Sequence, residues 1–354
     1  MMPTFLSLYD KLEKLVQRLP EGLRQPIMRE ITPIKSVFLL QRPPRLVLLG
    51  ERSVSRTALV NALFAESIAR DTEDSLQQPV WQNFVREGRG TVRILDARLP
   101  AQLATLKRAL GAEVPDLFLF LRESAPEGGN LEADLDHAHA IIAYAESCHD
   151  SRAKLLAVPA REEAADTLEL LWQREALAER TSGGCALSES AQLTELIAIE
   201  LPPESQLEMA RVSRNRVLQT QISQVVIKSV TAICGAIGAQ PIPLADFPIL
   251  TSLQAMMVAS IMHVRGREMS IKLGAKFLGA LGANIGAGLA LREGARAAAK
   301  LLPVWGSAIS GAVAAAGTYA IGRAAVAYFI EGVSLSDARQ IFRRKRGPTP
   351  LLKE

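Results

Sequence analysis

Residues 45–64 read RLVLLG-ERSVSRT-ALVNALF, from Arg45 to Phe64. Five residues before Gly50 are apolar enough for a buried strand, and the eight after Arg56 carry helix formers at helical spacing. A strand, a glycine turn and a helix in that order form the frame of a phosphate-binding loop. A working loop of that kind reads G-x-x-x-x-G-K-[ST], with glycines that let backbone N–H groups curl around phosphate and a lysine on the outer phosphates. Here Gly50 and Thr57 match, while Ser55 stands at the second glycine and Arg56 at the lysine. Ser55 puts a Cβ where backbone should approach the ligand. Arg56 keeps the charge on a longer, planar head.

The chain around this segment has the texture of two domains. A length of 354 residues exceeds what one compact core usually serves. Hydrophobic residues make up 48% and mean hydropathy is +0.13, yet aromatics are only 5%, so small and aliphatic side chains carry the apolar content. Net charge is +4, from 41 basic and 37 acidic residues, a balance that argues against a nucleic-acid partner. Cys148, Cys185 and Cys234 lie too far apart for a disulfide framework and fit a reducing compartment. The N-terminal MMPTFLSLYDKLEKLVQRL is amphipathic and interrupted by charge, unlike a secretory signal.

Residues 4–39 are expected to form two helices, the second from 21 to about 39. Gln41-Arg-Pro-Pro44 breaks them. Strand-like runs then follow at 45–49, 91–96, 116–121, 154–159 and 195–201, with helical stretches at 57–65, 101–110, 131–146 and 162–180. Alternation of this kind predicts a parallel sheet with helices on both faces. The segment 81–96 adds a hairpin turning at Gly88-Arg-Gly90. After Pro202-Pro203 the strand-like runs stop, and residues 205–346 read as apolar helices. The stretch 301–322 is uncharged and long enough to span an apolar bilayer core of about 30 Å. Residues 229–245 and 247–264 are shorter apolar stretches, separated by Asp246. Ala275, Gly279, Ala283 and Ala287, and Gly282, Gly286 and Ala290, form ladders of small residues that let helices approach closely, in lipid or in a tight soluble bundle.

The order of these elements resembles the Era-like GTPases, in particular the bacterial branch carrying a C-terminal domain of unknown function 697. In that family the strand after the hairpin ends in D-x-x-G. The corresponding residues here are Asp96-Ala-Arg-Leu99, with the aspartate kept and the glycine lost. The guanine reader N/T-K-x-D is replaced by Val158-Pro-Ala-Arg161. Cys185-Ala186-Leu187 echoes the base-contacting loop, and Thr72 stands where a switch threonine belongs. The resemblance therefore implies vestigial phosphate-binding residues Gly50, Ser55, Arg56 and Thr57, vestigial magnesium and switch residues Thr57, Thr72 and Asp96, and vestigial base contacts Cys185 and Ala186. No catalytic residue is assigned. GTP and Mg2+ are expected to bind weakly if they bind.

Two further segments are similar to that C-terminal domain. They are Pro241-Ile-Pro243 with Asp246, Leu253-Gln254 and Met256-Met257, and 300–307 with Gly317-Thr318-Tyr319 and Gly322-Arg323. The resemblance implies a bacterial, membrane-associated protein and no known chemistry.

The expected architecture is an α/β, Era/Ras-like P-loop G-domain-type sheet with flanking helices, followed by an all-α apolar domain. The divisions are N-terminal helices at 1–40, a degenerate GTPase-like domain at 41–203, an apolar helical domain at 204–335 and a basic tail at 336–354. The leading reading is a pseudo-GTPase at the cytoplasmic face of the bacterial inner membrane, held there through residues 225–330 and acting as a binding or scaffold module. Its rivals are a slow GTP hydrolase and a soluble, cytoplasmic scaffold with a protein partner or a second copy. His137, His139, Cys148 and His149 are not expected to hold a metal, because residues two apart on a helix face different ways. Arg339 with Arg343–Arg346 is the one basic cluster, and it suits an anionic membrane surface.

Overall fold

The computed structural model of the chain describes residues 13, 17, 21–68, 79–98, 103–123, 131–150, 152–160, 164–239, 246–282 and 305–345. They fall into two compact units, one of residues 41–218 and one joining 1–40 to 219–354.

The first unit is a six-stranded sheet in the order β2-β3-β1-β4-β5-β6. Its strands are β1 (Arg45–Gly50), β2 (Gln82–Arg86), β3 (Gly90–Asp96), β4 (Leu117–Arg122), β5 (Lys154–Pro159) and β6 (Thr181–Gly184). Only β2 runs antiparallel, paired to β3 through the expected hairpin. The other neighbours pair in parallel. The helices α2 (Arg56–Phe64), α3 (Leu103–Ala112), α4 (Leu131–His149) and α5 (Ala164–Gln173) alternate with the strands, and a short α6 (Glu175–Ala178) precedes β6. The central strands are buried along almost their whole length, as parallel strands covered on both faces must be. Val47, Leu49, Phe118, Phe120, Leu155 and Ala157 meet Leu106 and Leu110 of α3 and Ile141 and Ile142 of α4 in one apolar core.

Two elements differ from the expectation. The run 195–201 is not a strand but the end of helix α7 (Ser190–Glu200). Leu193, Ile197 and Leu201 are buried four residues apart, while Ile199 is 67% exposed, so the helical period wins over the short alternation. The sixth strand is Thr181-Ser-Gly-Gly184, just after the stretch expected to be helical and expected as no element itself. Of its two glycines Gly184 is required by packing, since a Cβ there would lie 2.9 Å from that of Ala157.

The compact unit also continues through Leu218, past the boundary expected at Pro202-Pro203. The reason is α8 (Pro203–Ser213), which packs on β3 and α2. Glu208 accepts hydrogen bonds from Thr91 N at 2.8 Å and from Gln41 Nε2. Asp116 pairs with Arg42 at 2.6 Å and receives the Ser205 hydroxyl at 3.2 Å. Arg89 donates to the carbonyls of Phe64 and Val212, the C-terminal ends of α2 and α8.

The second unit is helical. It contains α1 (Glu21–Ile34), which widens into a π turn at Lys35–Leu39, most of α9 (Arg216–Gly238), α10 (Asp246–Val264), α11 (Ile271–Ala280), α12 (Trp305–Val326) with a π turn at Ala327–Glu331, and α13 (Leu335–Lys345). Small residues set its spacing. A Cβ on Gly311 would lie 2.8 Å from the Gly235 carbonyl, and one on Gly238 2.7 Å from the Ala314 Cβ. A Cβ on Gly274 would lie 2.2 Å from the Ala255 carbonyl, so Gly274 carries the close contact while neighbouring Ala275 is exposed. The ladder residues 283–290 lie outside the described residues.

Arg216–Gly238 and Ser310–Glu331 are the segments long and apolar enough to cross a membrane, by length and composition, among the described residues. About half of each, 50% and 56%, is buried inside the protein, as in a core helix of a soluble bundle. The first of these starts earlier than the stretch expected at 229–245.

Candidate functional site

The loop after β1 is built on one glycine. Gly50 has φ +87°, and a Cβ there would lie 2.3 Å from the Leu121 carbonyl of β4. The position therefore needs glycine for the sheet itself, whatever the loop binds. The next residue turns back on β4, with Glu51 N donating to Leu121 O at 2.9 Å. Its carboxylate accepts from Glu123 N at 3.1 Å and from the Ser53 hydroxyl at 3.3 Å. Ser55 is the N-cap of α2, its Oγ accepting from Ala58 N at 3.1 Å. Arg56 lies with its guanidinium 5.9 Å from the Phe84 ring centre, and Thr57 is partly buried in the first helical turn.

Asp96 ends β3 beside this loop. What the sequence did not signal is Arg98. Its side chain is only 4% exposed and lies inside the loop. Nη1 donates to the carbonyls of Glu51 at 2.9 Å and Val54 at 2.6 Å. Nε and Nη2 reach the two Asp96 oxygens at 2.8 and 2.7 Å, a fork-to-fork pair. Burial pushes the Asp96 carboxyl up, but the hydrogen bonds and charge of Arg98, with Arg56 further off, outweigh it and hold the group below its ordinary range. A ring nitrogen of His137 donates to the Ala97 carbonyl at 2.7 Å and fixes the same segment from α4.

This arrangement runs against a phosphate cradle. Two loop carbonyls point at a cation where a cradle presents N–H groups, and Glu51 adds a negative charge to the loop. Nor do the residues fit magnesium, because the carboxylate that would serve it is bonded through both oxygens to a guanidinium. No group of three or more His, Cys, Asp and Glu side chains gathers as a metal site among the described residues.

The other expected site residues are placed as follows. Cys185 and Ala186 are buried just after β6, where Cys185 N donates to Ala157 O at 3.0 Å and Leu187 N to Pro159 O at 2.8 Å. Burial, a hydrogen bond to Glu189 and the charge of that carboxylate push the Cys185 thiol up to about 11, so it is an inert neutral group at neutral pH. Val158 and Pro159 end β5, and Ala160 N closes on the Arg122 carbonyl at 2.8 Å. Thr72, Leu99 and Arg161 lie outside the described residues. So do Pro241 and Pro243, but the two C-terminal segments singled out in the sequence do touch: Gln254 Nε2 donates to Thr318 Oγ1 at 3.0 Å.

No protein-family model matches the chain, and no curated protein matches it. Among solved structures it is similar to the crystal structure of Era in complex with MgGDPNP and nucleotides 1506–1542 of 16S ribosomal RNA. That likeness covers 55% of this chain and 68% of that one, at 11% identity and a TM-score of 0.31. Likeness so low carries nothing about function. The α/β sheet with a helical C-terminal part stands on the strand order itself.

Proposed function

We propose that the chain is a pseudo-GTPase: a GTPase-like α/β unit whose loop no longer hydrolyses nucleotide, joined to an apolar helical unit and acting as a membrane-associated binding or scaffold module. The observation that carries the first part is Arg98. A side chain of this chain bonds two carbonyls of the loop and both oxygens of the aspartate, so the loop is satisfied without a ligand. The lost reader at 158–161 removes the carboxylate that would select guanine, and Ser55 is committed to capping α2. The membrane part rests on two helices of sufficient length and hydropathy, and on the basic cluster that follows them.

The test is a titration of the purified protein with labelled GTP and ATP, with and without magnesium. Affinity in the high micromolar range or weaker is expected, about −5 to −6 kcal/mol, with little difference between the two bases. Submicromolar binding that prefers guanine would overturn the reading.

A further inference from the structure

We propose that the exposed cations of α11 and α13, with an exposed leucine beside those of α11, dock on the headgroups of anionic phospholipids. The inference rests on the membrane reading above and names the lipid class and the residues. Lys272 and Lys276 lie one turn apart on α11 and are both exposed. Leu273, beside them, is 44% exposed. Ala280 continues the same row by another turn, and there Arg339 Nε donates to its carbonyl at 2.7 Å. That contact brings α13 to the end of the lysine row. Arg343 follows Arg339 one turn on, with Arg344 beside it, and both are exposed.

The charge on this surface has one sign. Helix α11 holds no acidic residue, and α13 holds only Asp337, which is bonded to the Ser334 hydroxyl at its N-terminus at 2.7 Å. Glu268 precedes α11, and Glu331 faces Arg323 at 3.7 Å. Among the described residues none of Lys272, Lys276, Arg343 and Arg344 has a carboxylate partner. Unpaired cations with an exposed aliphatic side chain beside two of them suit a plane of phosphates above an apolar layer, where each Lys or Arg contributes about 1 kcal/mol near the surface. A single-stranded nucleic acid is the poorer match, because these positions include no aromatic side chain on which a base could stack.

The experiment floats the full-length protein with vesicles of phosphatidylcholine alone or of equal parts phosphatidylcholine and phosphatidylglycerol, at low and high salt. Binding is expected on the anionic vesicles only, and salt should weaken it. The variant K272Q/K276Q/R343Q/R344Q should lose about 100-fold or more in partitioning, while the charge-keeping K272R/K276R/R343K/R344K variant should retain it. Leu273→Gln should lower partitioning several-fold and leave its salt dependence unchanged. Equal flotation on both vesicles, or by the neutralised variant, would overturn the inference and leave the membrane reading standing. Flotation on neither would overturn both. Binding to single-stranded RNA tighter than to vesicles, and lost in the neutralised variant, would assign the surface to nucleic acid and overturn the lipid proposal.

Discussion

At residue scale the chain turns on Arg98 and Asp96. Removing one member of a buried, hydrogen-bonded ion pair leaves the other charge without compensation, at a cost of about 3–5 kcal/mol. Asp96→Asn should therefore lower the urea midpoint of the 41–218 unit at neutral pH, as should Arg98→Gln. The effect of Asp96→Asn should depend on acid. A carboxyl whose folded pKa lies below its unfolded value of about 3.9 stabilises the protein above that value, and the contribution is lost as pH falls through the folded value. The gap between the parent protein and Asp96→Asn should thus be full at pH 7 and shrink below about pH 4. A gap that stayed constant into acid would mean that the carboxyl is not charge-paired in the folded state. The sequence showed Asp96 and the missing glycine at position 99, but not this pair. An arginine two residues after an aspartate is ordinary, and only the folded loop brings the Glu51 and Val54 carbonyls within its reach.

At the scale of elements, helix α12 offers two glycines with opposite demands. Gly311 faces the Gly235 carbonyl of α9 and Ala239 just after it, so an added Cβ meets backbone at 2.8 Å. Gly317 has nothing within 4 Å. Gly311→Ala should cost about 1–3 kcal/mol by overpacking. Gly317→Ala should gain up to about 1 kcal/mol from helix propensity. Thermal unfolding of the two single variants should shift in opposite directions, and a shift of the same sign in both would contradict the close α9–α12 approach. Element type was legible wherever the apolar period was long: β1, β3, β4 and β5 and the helices between them lie within a few residues of expectation. It failed where a run was short. Residues 195–201 alternate like a strand, yet belong to a helix whose preceding turns set the buried face. Thr181–Gly184 lacks the β-branched texture of a strand and is recruited to the edge by its bonds to β5.

On the scale of the whole molecule, α8 decides where the first unit ends. It follows Pro202-Pro203, a break that reads in sequence as a domain boundary, yet its polar groups are spent on the sheet unit. A chain of residues 41–203 would leave Thr91 N, Asp116 and Arg89 without Glu208, Ser205 and the Val212 carbonyl. A chain of residues 41–218 keeps all of them. The longer piece should be soluble and unfold cooperatively, and the shorter should unfold at markedly lower urea or fail to accumulate. Equal stability of the two would return the boundary to 203.

The sequence by itself determined the alternation of buried strands and crossover helices, the hairpin at 81–96, the strand–glycine–helix frame at 45–64 and the change to apolar helices further along the chain. Each of these is written in spacing between neighbours, in glycine and proline, and in local apolar content. Tertiary structure alone decided what occupies the loop, which glycines bring helices together, and where α7, α8 and β6 belong. Those outcomes depend on hydrogen-bond partners and backbone approaches between residues far apart in the chain: Arg98 with Glu51, Gly311 with Gly235, Glu208 with Thr91. Local pattern carries no record of such pairs, because a donor shows its partner only after the chain has closed around it.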